Sequence, residues 1–149
     1  MSTNIRRKMM RVDEYFMEKF EASSVQLKCQ SIYENYEQYE MAQIMAERTS
    51  SKVRQANLDD MAEVNFRQAG QKLKKLNESE LTTYLRFVKD KMLIAIKNEK
   101  EDSNMLSVKL RFGTILRQLP QTLTLEQQTI KQEMEEVLST YFVKIENVM

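Results

Sequence analysis

Three acids and three phenols interleave in one short stretch: Tyr33, Glu34, Tyr36, Glu37, Tyr39 and Glu40. Carboxylates clustered in this way can bind hard metal ions or exchange protons. The spacing argues against both. Residues three apart on a helix are surface neighbours, so the acids share an outer edge and read as a solvated face. Helical bundles that hold two metals pair a glutamate with a histidine three residues on, and this chain contains no histidine. That absence also removes the usual general base and proton shuttle. The single cysteine, Cys29, lies on an apolar stripe with no imidazole to activate it, and reads as a buried structural residue. The sequence shows no Gly-rich phosphate loop, no cysteine pair for zinc and no Ser–His pairing. The expectation is a protein that is not an enzyme, with no catalytic, cofactor-binding or metal-binding residues.

Two basic clusters could touch anions. Arg6, Arg7, Lys8 and Arg11 read as a solvated helix start. The sharper alternative is a contact to an anionic membrane surface or to nucleic acid, or a weak nuclear signal. A net charge of +1 supplies no global field to hold a polyanion. Lys72, Lys74 and Lys75 fall around a helix end, where cations complement the dipole. A phosphate contact there would need partners that the sequence does not identify.

The elements that must position these groups are helices. With one Pro and two Gly in 149 residues, the chain has few of the residues that punctuate strands and hairpins. Apolar residues recur at intervals of three and four, the helical period. Ile5, Met9, Val12, Phe16 and Phe20 share one face, and Val25, Cys29, Ile32, Tyr36 and Tyr39 form a heptad-like seam. Residues 5 to about 53 read as one long helix, or two with a kink near Ser23. Asn57 is the predicted cap of the next helix, which carries Met61, Phe66, Ala69, Leu73 and Leu76 on one face. Asn77 and Glu80 begin a third helix whose wide apolar arc suits a central position. Residues 98–103 form the predicted exposed turn. Leu106, Leu110, Gly113, Leu116 and Leu119 make the next stripe, which Pro120 ends. Thr124 and Gln127 form a capping box for a last helix bearing Ile130, Met134, Leu138 and Tyr141.

The fold class is therefore all-α, an antiparallel bundle of four to six helices with a long N-terminal helix. Residues 1–56 form that helix, and 57–149 a bundle of two helix hairpins, 57–98 and 103–149. The lone cysteine fits a reducing, intracellular compartment, nucleus or cytoplasm. No apolar run approaches the roughly 20 residues that span a bilayer, and the N-terminus lacks a signal-peptide core.

The two hairpins echo each other. Each reads as a helix ending Leu-x-x-Leu, Leu73 to Leu76 and Leu116 to Leu119, then a capped turn and a second amphipathic helix. With Phe66, Val88 and Met92 in one copy and Ile130, Met134 and Leu138 in the other, the pattern resembles the BESS motif. That helix pair occurs at the C-termini of insect chromatin and transcription proteins. The resemblance covers about half the chain and rests on aliphatic spacing. It departs from the family at Phe112, which lies too close to Leu116 to correspond to Phe66 before Leu73. It implies protein–protein association, often with a second copy, in the nucleus.

The expected function is a non-enzymatic interaction or oligomerisation module. Its partner would be itself or another helical protein, with nucleic acid or an anionic membrane as the alternative. The candidate contact surface is the seam of Val25, Ile32, Tyr36 and Tyr39, because tyrosine offers contact area at low entropic cost.

Overall fold

The computed structural model describes the backbone of residues 2–98 and 105–148, and the side chains of 24–97 and 107–141. Among the described residues the chain is all-helical. The order is α1 (Ser2–Arg48), α2 (Lys52–Lys74), α3 (Glu78–Asn98), α4 (Met105–Arg117) and α5 (Leu125–Val148). α1 runs unbroken through Ser23, at 47 residues. That is about 70 Å of helix, in a stretch with neither Gly nor Pro to interrupt it.

The caps explain where the helices begin. Ser51 opens α2, with extended backbone (φ −79°, ψ 118°) and its hydroxyl accepting from the Arg54 N–H. The helix thus starts before Asn57, the expected cap. The residues from Lys52 to Ala56 form helix well enough to carry the start back to the first competent cap, and Asn57, Asp59 and Asp60 sit exposed on the helix surface. The other two starts are as expected. Asn77 Oδ1 accepts from the Glu80 N–H at 2.8 Å while Glu80 Oε1 accepts from the Asn77 N–H at 3.0 Å. Thr124 and Gln127 exchange the same pair of bonds. α4 ends at Arg117, just ahead of Pro120. The predicted turn at 98–103 lies, beyond Asn98, outside the described residues.

Successive helices alternate in direction. The α3 and α5 axes run the same way, since Thr82 meets Gln127 at their N-terminal ends and Lys89 pairs with Glu133 further along. Buried Gln127 ties these two ends together, its amide N–H groups donating to the Glu78 carbonyl (2.9 Å) and the Thr82 hydroxyl (3.1 Å). α2 packs along α1, and α3 packs against α5, α1 and α4. α2 and α3 are joined by a tight turn yet do not pack on each other along their lengths, because the apolar face of α2 is already taken by α1.

One large core joins all five helices. It includes Cys29, Ile32, Tyr33 and Tyr36 of α1, Ala69 and Leu73 of α2, Leu81, Tyr84, Leu85, Val88 and Met92 of α3, Val108, Phe112 and Ile115 of α4, and Ile130, Met134 and Leu138 of α5. A second, smaller core of Ala42, Ala46, Leu58 and Ala62 closes the far end of the α1–α2 pair. The buried face of α4 differs from the expected stripe. Val108, Phe112 and Ile115 point inward, while Leu110, Gly113 and Leu116 are only partly covered. A four-residue apolar series fits several rotations of so short a helix, and the aromatic bulk of Phe112 decides which one fills the core. Met61, expected on the inner face of α2, is instead half exposed.

Candidate interaction surface on the first helical hairpin

The seam read from the sequence is real, and it faces inward. Ile32 and Tyr36 are fully buried, Val25 is half-buried against the same core, and Tyr39 is half-buried with its ring 5.3 Å from that of Phe66. Ile32 and Tyr36 are thus covered by the chain's own helices, which leaves a second protein no access to them in this fold. Cys29 lies beside them, fully buried, and burial followed by the nearby Glu80 charge pushes its thiol pKa up. A thiol so placed is a poor nucleophile. Arg6, Arg7, Lys8 and Arg11 fall on the first turns of α1, and their side chains lie outside the described residues.

What holds the hairpin in register is a polar network that sequence reading missed. Lys72 of α2 donates to Ser31 Oγ and to Asn35 Oδ1 of α1, each at 2.7 Å. Asn35 in turn donates to Asn65 Oδ1 (2.9 Å) and Gln68 Oε1 (3.3 Å). The network fixes which way Asn35 faces, since its oxygen takes the ammonium and its amide serves the two carbonyl-type acceptors. Nothing in the sequence separates these residues from an ordinary polar edge, because their partners lie 30 or more positions away.

Glu40 is the second such residue. It was expected on a solvated face with Glu34 and Glu37, yet it is 1% exposed. Arg111 of α4 reaches it through Nε at 2.5 Å and also donates to the Tyr33 hydroxyl at 3.0 Å. Burial disfavours the guanidinium charge, and the Glu40 carboxylate outweighs it, so Arg111 is held even more firmly protonated. The three-residue spacing placed the acids near one another correctly. Only the arrival of α4 buries one of them.

The outer side of the α1–α2 hairpin is a continuous face. Helical periodicity puts Leu27, Gln38, Met41 and Met45 of α1 on the side of Asn35 away from the core, and Met61, Val64, Gln68 and Lys75 of α2 on the matching side of Asn65. Several of these are large and apolar yet open to solvent: Leu27 at 69%, Met41 at 51%, Met45 at 40%, Met61 at 48% and Val64 at 39%. At the end nearer the α2–α3 turn the two helices part around a groove of about 470 Å³, lined by Ser24, Leu27, Lys28, Ser31, Ile32, Lys72, Lys75 and Leu76. Lys28 there is paired with Glu80 at 2.6 Å. Among the described residues no carboxylate lies within ion-pair distance of Lys72 or Lys75, and no group of three or more acids, cysteines and histidines could hold a metal ion.

No protein-family model, curated protein or solved structure matches this chain. Among the described residues no helix is long and apolar enough to cross a membrane.

Proposed function

We propose that the chain is a non-enzymatic helical interaction module that associates with a second copy of itself. The same surface would serve for another helical protein. The observation that carries this reading is the outer face of the α1–α2 hairpin, where Met41, Met45, Met61 and Val64 stand exposed at helical spacing on one side of the molecule. Scattered apolar residues on a surface are ordinary, but a grouped set on paired helices marks an association site. Methionine suits such a site because its unbranched, polarisable side chain adapts to a partner helix. The contact is thus assigned to this outer face, with the seam of Val25, Ile32, Tyr36 and Tyr39 supporting it from behind.

The BESS resemblance adds a nuclear setting to the proposal. Of the residues that carry it, Leu73, Val88, Met92, Leu119, Ile130, Met134 and Leu138 are buried, and Phe66, Leu76 and Leu116 are half-buried against the same core. Their spacing is also what any packed helical hairpin requires. The test is a double substitution, Met41→Glu with Met45→Glu. It is expected to weaken self-association at least tenfold while leaving the helical signal and the unfolding midpoint of the monomer in place. Unchanged association would remove the outer face from the proposal.

A further inference from the structure

The groove between α1 and α2 combines features that the association reading does not use. Leu27 and Leu76 give it an apolar wall over buried Ile32, and its rim carries three lysines against a single carboxylate, Glu80, which Lys28 occupies. Lys72 is the decisive residue. It is partly buried, and its ammonium is held by two neutral oxygens, those of Ser31 and Asn35. An ammonium has three N–H donors, so one remains beyond these two bonds. A partly covered ammonium bonded to neutral oxygens, with no carboxylate beside it among the described residues, has room to gain a counter-ion. Asn35 is itself fixed by Asn65 and Gln68, so the ammonium is positioned before any ligand arrives. Lys75 adds a second unneutralised charge at the same rim.

We infer that this groove is a binding site for a soluble anionic amphiphile, a carboxylate or phosphate head on a single alkyl or aryl body. The head would take the remaining Lys72 donor and the Lys75 ammonium, and the body would cover Leu27 and Leu76. The cavity of about 470 Å³ falls in the range of small-molecule sites, roughly 300–1,000 Å³. The groove adjoins the outer face and shares Leu27 and Lys75 with it, but none of that face's methionines lines it, so Met41→Glu with Met45→Glu is expected to leave decanoate binding unchanged.

The test is calorimetric titration of the full chain with decanoate, decyl phosphate, decanol and inorganic phosphate, each as a monomeric solute. Decanoate and decyl phosphate are expected to bind one per chain. Decanol and inorganic phosphate are expected to bind at least tenfold more weakly, because each supplies half of the chemistry. Lys75→Gln is expected to weaken decanoate binding at least fivefold, and Lys72→Gln tenfold, with decanol binding unchanged. Lys75 makes no hydrogen bond through its side chain to the described residues, so its variant tests the site even if Lys72→Gln fails to fold. Lys97→Gln, at an exposed position near the end of α3, serves as the control and is expected to change nothing. Equal binding of decanoate and decanol would overturn the inference, as would decanoate binding that is indifferent to Lys75. Sedimentation with phosphatidylserine vesicles in the absence of decanoate binding would also overturn it, by assigning the lysines to a membrane surface.

Discussion

The molecule has two cores, and they are built differently. The large one draws on all five helices and is filled by Tyr84, Phe112, Met92, Met134 and branched aliphatics. The small one involves α1 and α2 alone and consists of three alanines and Leu58. Alanine lets helices approach closely but removes little apolar area from water, at about 25 cal/mol per Å². The hairpin therefore leans on its polar network, Lys72 with Ser31 and Asn35, for register, and leaves its methionines outside. Rigidity belongs to the five-helix core, and the surface offered to others belongs to the thinner end.

Substitutions can break or sharpen that contrast. The largest effect is expected from Tyr36→Asp, which places a charge in the large core. Circular dichroism should show loss of the cooperative fold, whereas a surface role for Tyr36 predicts a folded protein with altered association. Next, Leu85→Ala in the large core is expected to cost about 4 kcal/mol and Leu58→Ala in the small one about 2 kcal/mol, both read by urea denaturation. Equal costs would mean that the small core is as well packed as the large one. Glu40→Gln is expected to cost about 2 kcal/mol, less than the roughly 3–5 kcal/mol of a broken buried pair, because Glu37 stands 3.9 Å from Arg111 and can take part of the charge.

The smallest effect concerns two hydroxyls of the large core, those of Tyr36 and Tyr84, which are buried without a hydrogen-bond partner among the described residues. Tyr84→Phe is expected to be neutral or to stabilise by about 1 kcal/mol, since an unsatisfied polar group is removed. Burial pushes the Tyr36 pKa to about 12 and that of Tyr84 well above its usual value. Both folded values lie above the unfolded value near 10, so their contribution is fully present below pH 10. It is lost as pH rises through the folded values, about 12 for Tyr36. Absorbance titration should show these two phenols ionising only with unfolding, and Tyr84→Phe should soften the alkaline limb.

Much of this was legible in the sequence. The stripes of Cys29–Ile32–Tyr36, Leu85–Val88–Met92 and Ile130–Met134–Leu138 are core stripes because apolar period and burial coincide on long helices. The caps at Asn77 and Thr124 were legible because capping chemistry is local. Long-range partners were not. Glu40 is buried by an arginine 71 residues away, and Lys72 is held by residues on another helix. The rotation of α4 was equally hidden, since its Leu-rich stripe and its Phe112 face satisfy the same period. Thus the scaffold could be read from spacing, while the seam's inward orientation and the exposed methionine face depended on which helix came to lie where.

The most direct test of the account is the solution mass, by light scattering across a wide concentration range, of the wild-type chain beside the Met41→Glu, Met45→Glu variant. The account predicts a wild-type mass that rises from monomer to dimer and a variant that stays monomeric with its helical signal intact. A wild-type chain that remains monomeric throughout, or a variant that dimerises equally well, would contradict it.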